Sequence, residues 1–171
     1  MKLKKLSLFI FIVALVFNFS TINAFAAETA SNTSTKTETT KKYTNADLRL
    51  LSSLIYCEAQ GESYNGKLAV GIVVMNRKKS NDFPDAVKDV IYQKYQFSPV
   101  TNGSLKKALA DYDKGGFTSA AEKSCIKAAE AALSGEKSIS VNGKSKYFNK
   151  YLFFSGKLRG YTYQYGHHQF K

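Results

Sequence analysis

The run Leu68-Ala69-Val70-Gly71-Ile72-Val73-Val74-Met75 constrains the fold more than any other stretch of this chain. Coiled as a helix it is apolar on every side, and only a helix enclosed by protein tolerates that. A strand competes for so β-branched a run. The length from Asn65 to Lys79 and the Asn76-Arg77 ending favour a helix, opened by Ser63 or Asn65 and running to about Lys79. The rest of the chain must then supply elements to wrap it.

The neighbouring patterns do so. Thr44 and Asp47 have the spacing of a helix start signal, and Leu48, Leu51 and Ile55 recur at three- and four-residue steps. This predicts a helix from Asn45 to Gln60, stopped at Gly61. Pro84 suits the first turn of a short helix reaching about Tyr92. Gln93 to Val100 reads as extended, with Pro99 excluding a helix there. A helix over Ser104 to Tyr112 ends at Asp113-Lys114-Gly115-Gly116, and Ser119 with Glu122 opens another that runs to Leu133 and stops at Gly135. Beyond that the pattern changes. Val141-Asn142-Gly143 is a turn, and Tyr147 to Tyr165 is dense in aromatics, so short strands and loops are expected. The predicted class is α+β, mainly α.

The ends of the chain point to export. Lys2, Lys4 and Lys5 precede an apolar core from Leu6 to Phe17, and Ala24-Phe25-Ala26 supplies a small-x-small cleavage signal. Residues 1–26 are read as a secretory signal peptide, since the apolar core is short for a membrane span. Residues 27–42, rich in Ser, Thr and Lys, are read as a disordered linker. Residues 43–171 form one domain, large enough for a real core. Lys and Arg exceed Asp and Glu by 12, and losing the leader brings the surplus to +9. Such a surplus favours an anionic partner, and export makes the cell wall the best of these. Without a dense basic block interleaved with aromatics, nucleic acid is not expected. No stable membrane insertion is expected after cleavage, and a monomer is expected.

Glu58 is the leading chemical candidate. It falls three residues after Ile55 and seven after Leu51, so it continues the apolar stripe of the first helix. A carboxyl there is desolvated, which favours its protonated form, and a protonated carboxyl near neutral pH is what glycosidic cleavage needs as general acid. The competing reading is a helix-end carboxylate turned to solvent. Glu62 lies four residues on, but Gly61 breaks the helix between them. Its charge suits the start of the next helix, and a structural role there stands beside a role in the site. Nothing nominates the second acid that a two-carboxylate glycosidase holds about 5–9.5 Å away.

Other groups carry weaker signals. Gln96 and Ser98, on alternate positions of an extended segment, would point to one side and could bond a sugar chain. His167 and His168 are adjacent, so in an extended tail their rings diverge, and no acid cluster completes a metal site. No metal or cofactor is expected. Cys57 and Cys125 read as small buried residues, with pairing after export as the alternative. Cys57 with His168 as a peptidase pair is the least favoured reading, because Cys57 lies near a helix C-terminus beside an acid.

Together these residues resemble the SleB/CwlJ-type cell wall hydrolases, the catalytic domain of spore-cortex-lytic enzymes. The resemblance rests on Ile55-Tyr56-Cys57-Glu58-Ala59-Gln60-Gly61-Glu62, Gly66-Lys67-Leu68-Ala69-Val70, Val74-Met75-Asn76-Arg77 and Phe83-Pro84. It continues through Val90-Ile91-Tyr92-Gln93, Gln96-Phe97-Ser98-Pro99-Val100 and Gly166-His167-His168-Gln169-Phe170. It implies a lysozyme-like fold acting on peptidoglycan glycan strands, as a lytic transglycosylase or muramidase, in the wall or the spore. It also implies Glu58 as the catalytic acid, with Gln96 and Ser98 beside the cleft and His168 at the family's tail histidine; Tyr56, Glu62 and Phe97 join them as candidate substrate contacts. Cys57 departs from the small residue usual there, and Phe153-Phe154-Ser155-Gly156 replaces an Asn-Pro found in many members. A non-catalytic wall-binding or spore-coat protein keeping the same fold is the alternative of a different class.

Overall fold

Two capping boxes fix the helices that wrap the central one. Thr44 Oγ1 accepts from the Asp47 N–H at 3.0 Å while the Asp47 carboxylate accepts from the Thr44 N–H at 3.2 Å. Ser119 and Glu122 repeat the exchange at 3.3 and 2.8 Å. Each satisfies donors that a helix start otherwise leaves open. The computed structural model describes residues 41–171; the expected leader and all but two residues of the expected linker lie outside them.

Six helices come first: α1 (Asn45–Ala59), α2 (Tyr64–Lys79), α3 (Val87–Tyr92), α4 (Ser98–Thr101), α5 (Ser104–Asp113) and α6 (Ala120–Leu133). Five short strands follow: β1 (Ser138–Val141), β2 (Lys144–Tyr147), β3 (Phe154–Ser155), β4 (Tyr163–Tyr165) and β5 (His168–Phe170). The α+β, mainly α class expected from sequence is the one observed. Among the described residues no helix is long and apolar enough to cross a membrane.

Helix α2 is the enclosed helix that its composition demands. Every residue from Gly66 to Arg77 is buried, against α1, α3, α6 and β1. Gly71 permits the close approach: a Cβ there would lie 3.0 Å from Ala132 Cβ and 3.2 Å from Ile55 Cδ1. Across from it α6 offers Ala128, Ala129 and Ala132, all fully buried. Small residues on two facing helices let their axes close up. Leu51, Leu54 and Ile55 of α1 complete the core.

Two expectations are corrected. Gln93–Val100 is not extended: Tyr95 adopts φ +64° and a turn closes from Gln93 O to Gln96 N. Pro99 then sits in the first turn of α4, where its missing N–H costs nothing. Gln96 and Ser98 therefore do not share one side of a strand. Helix α3 also opens three residues after Pro84, because Ala86 is extended and acts as its cap.

The C-terminal section is built differently. Strands β1 and β2 form a hairpin whose Asn142-Gly143 turn has φ +51° and +75°, the left-handed pair that a two-residue hairpin turn requires. The second sheet has antiparallel order β3-β5-β4. Phe148, Tyr151 and Phe170 form a buried aromatic knot with ring centroids 4.8–5.9 Å apart. Polar groups at the end of α2 hold this knot. Asn76 Nδ2 donates to Phe148 O at 2.7 Å and Tyr151 O at 2.9 Å, and Arg77 Nε donates to Leu152 O at 2.6 Å.

Candidate active site

Glu58 sits in the last turn of α1. At 100° per residue it lies 20° from Leu51 around the helix, so its side chain leaves from the core-facing side where the core opens. Its carboxyl is half-buried and has no hydrogen-bond partner among the described residues. Burial is the one cause that pushes its pKa above the ordinary glutamate value; no neighbouring charge contributes. Desolvation of an unpartnered carboxyl favours its protonated form over the charged one.

Glu62 has a different environment. It follows Gly61 in the turn between α1 and α2, and its side chain is only 9% exposed. Oε1 lies 2.7 Å from His167 Nδ1 and accepts from the His167 backbone N–H at 3.2 Å. The carboxylate fits between two glycines. A Cβ on Gly66 would stand 2.8 Å from Glu62 Cβ, and one on Gly166, at φ +57°, would collide with the carboxylate itself. The buried Lys67 ammonium donates to the Glu62 carbonyl and ties down the same turn. Glu62 thus fastens the β4–β5 turn to the start of α2.

His168, one residue further, is buried, with Nδ1 unpartnered. Burial lowers its pKa, the Glu62 charge works the other way, and His167 adds a smaller lowering. The ring stands edge-on to Phe154 at 5.2 Å, and Phe154 in turn meets Phe97 at 6.2 Å. A chain of contacts thus joins His168 to Phe97 through Phe154, and Glu62 reaches it only by way of the adjoining His167. Gln96 is half-buried in the turn before Phe97, and Ser98 is exposed at the start of α4, which packs on α1.

Tyr56 goes elsewhere. Its ring packs on Phe117 at 5.2 Å, on another flank of α1. There, with Cys57, Gln60, Ser104, Lys107 and Lys114, it lines a depression of about 600 Å³ that does not include Glu58. Cys57 and Cys125 are both free. Desolvation raises both thiols, Cys125 to about 11, and Glu58 adds to the rise at Cys57 against a lowering by Ser104. Neither favours thiolate. Among the described residues no group of three His, Cys, Asp or Glu side chains could hold a metal ion.

Three participants escaped sequence reasoning. Phe154 bridges Phe97 to His168, and its nearest signal was the aromatic run itself. Asn76 and Arg77 were visible as polar residues closing an apolar helix, but their partners lie more than 70 positions away. Arg77 is enclosed by Phe83, Phe97 and Phe153 at 5.1–5.3 Å, and burial lowers its pKa to about 10.

Known proteins share parts of this sequence. The family described as "Cell Wall Hydrolase" matches residues 61–171. The chain belongs to that family. Among the cell wall hydrolase relatives, a spore cortex-lytic enzyme of Bacillus subtilis (strain 168) is 40% identical over 63 residues, 37% of this chain and 21% of the relative. One from Halalkalibacterium halodurans is 35% identical over 80 residues, 47% of this chain and 24% of the relative. The cell wall hydrolase CwlJ of Bacillus subtilis (strain 168) is 36% identical over 75 residues, 42% of this chain and 53% of the relative. The chain thus spans between about a fifth and a half of these relatives' lengths. No solved structure matches it significantly. The matched family region holds Glu62, Gln96, Phe97, Ser98 and His168 and begins three residues after Glu58.

Proposed function

We propose that this chain cleaves the MurNAc-β-1,4-GlcNAc bond of peptidoglycan with Glu58 as its single acid/base. The observation that carries this reading is the half-buried, unpartnered Glu58 carboxyl, whose pKa is raised by desolvation alone. Membership of the cell wall hydrolase family supports the substrate class. Protonated Glu58 delivers its proton to the glycosidic oxygen as the bond to the muramyl anomeric carbon breaks. The resulting carboxylate then removes the proton from that sugar's own 6-hydroxyl, whose oxygen closes on the anomeric carbon and leaves a 1,6-anhydro end. Glu58 finishes protonated, ready for another cycle.

The intramolecular route is favoured over attack by water because no neighbouring carboxylate perturbs Glu58, whereas water-using and covalent mechanisms both call on a second acid. Glu62, the nearest acid in sequence, has its carboxylate engaged by His167. In this reading Glu62 acts as a positioning residue, holding the turn that carries His168. Buried Phe97 and His168 support the substrate face from behind, and Gln96 and Ser98 offer hydrogen bonds to sugar hydroxyls. Export to the wall or spore follows from the leader-like N-terminus.

Mass spectrometry of digested glycan strands tests the route. Muropeptides one water lighter than the hydrolysed species are expected. Reducing muramyl ends alone would replace the intramolecular step with attack by water. Assays on purified spore cortex and on vegetative wall would identify the natural target.

A further inference from the structure

The positive charge of the domain is confined to one end of its sequence. Residues 43–136 hold 12 Lys and Arg against 11 Asp and Glu, so the helical part is nearly neutral. Residues 137–171 hold seven cations, Lys137, Lys144, Lys146, Lys150, Lys157, Arg159 and Lys171, and no acid. Among the described residues the ion pairs are Arg49–Asp113 and His167–Glu62, and neither engages any of the seven. Like charges gathered without ion-pair partners repel one another, and what they gain is local: Lys146 lies over the Tyr163 ring at 4.6 Å and Lys150 over Tyr151 at 5.6 Å.

Part of this surface is shaped. A pocket of about 370 Å³ lies at the C-terminal end of α2, lined by Lys79, Ser80, Lys137, Asn149, Lys150 and Leu152, with Asn76 at its base. Its three ammonium groups come from three separate stretches of chain, and all three lysines are exposed. The α2 helix dipole explains a cation at Lys79. It does not explain Lys137 or Lys150, which reach the same pocket from other elements. Glu62 precedes the opposite end of this 16-residue helix, and a helix of that length is about 24 Å long. The pocket therefore lies at the opposite end of α2 from Glu62, and Glu58 does not line it.

The chemistry of the cations selects the ligand. Six of the seven in the acid-free section are lysines, compact point charges that suit phosphate. Carboxylates are better recognised by the planar fork of arginine, of which the section has one. Seven cations spread along the strands, turns and loops of this section suit a chain of repeated charges better than a single anion.

We infer that the C-terminal section binds a polyol-phosphate polymer of the cell wall, with one phosphodiester seated among Lys79, Lys137 and Lys150. The choice of polymer rests on the wall-directed reading above; the site itself does not depend on cleavage. Such binding would hold the enzyme on the wall at its far end while the cleft at Glu58 works on glycan.

The test titrates the purified chain with a synthetic glycerol-phosphate oligomer, alongside single-stranded DNA of equal phosphate number and vesicles of anionic phospholipid. The oligomer should bind most tightly, and K79Q/K137Q/K150Q should weaken it at least about tenfold and flatten its log–log salt slope by about 2. The control K88Q/K106Q/K123Q removes equal charge from the helical part and should bind as the parent does. Equal losses in both variants would overturn the site, because net charge alone would then be at work. Tighter binding of DNA or vesicles would overturn the choice of polymer. Cleavage of phosphate-free glycan, measured in parallel, should be unchanged in K79Q/K137Q/K150Q. Oligomer binding without any cleavage by the parent would fail the enzymatic reading and leave this one standing; cleavage without oligomer binding would do the reverse.

Discussion

The helical part and the C-terminal section of this domain are held together by different physics. Helices α1, α2 and α6 meet through apolar stripes and small residues, and their stability comes from burial. The aromatic section after Lys137 has its own buried rings, but it is fastened to the helices by polar groups reaching across the chain. Asn76 and Arg77 hold it at one end of α2 and Glu62 at the other. In the proposed reading the site lies where these two kinds of structure meet, with Glu58 from the end of α1 and His168 from β5. Burial makes a rigid base, and a few directed bonds set what faces it.

The largest test of that contrast is Leu54→Ala in α1. It empties a fully buried position and should cost about 3 kcal/mol, seen as a lower midpoint in denaturant with one transition for the whole domain. A biphasic transition would break the claim that the two parts unfold together. Asn76→Ala should cost less, about 1–3 kcal/mol, because it strands the carbonyls of Phe148 and Tyr151. Its amide exchange should rise in residues 148–171 more than in α1 or α6; a uniform rise would show that the clamp is not local.

The contrast also governs what could be read in advance. Capping boxes at Thr44 and Ser119, the stripe of α1 and the enclosed α2 were legible because their causes lie within a few residues. Glu58 was legible for the same reason, as an acid on an apolar stripe. The turn at Tyr95 was not, since a left-handed tyrosine leaves no local signature and Pro99 serves a helix start as well as an extended segment. Nor were the pairing of Glu62 with His167, 105 positions away, or the bridge through Phe154. These bonds exist only once the helices have packed.

Acid sensitivity comes next in size. His168 has a folded pKa below its ordinary value of about 6.5, so between the two values the unfolded chain binds more protons. Its contribution to stability is full above about pH 6.5 and is lost as pH falls toward the folded pKa. The melting temperature should therefore drop on acidification through that window, and His168→Gln should flatten the drop. An unchanged profile in His168→Gln would assign the sensitivity to another group. The smallest effect belongs to Asp113→Asn. It removes the exposed Arg49–Asp113 pair between α1 and α5, and any loss in melting temperature should be slight and should shrink with added salt.

In the proposed mechanism one carboxyl, Glu58, carries both proton transfers. The direct measurement is the turnover of Glu58→Gln on purified glycan strands, with its melting curve recorded beside the parent's. Turnover should fall by about 10²–10⁴-fold while the melting temperature holds or rises, since the change removes a desolvated acid and no hydrogen bond. A folded Glu58→Gln protein that cleaves glycan at the parent rate would contradict it.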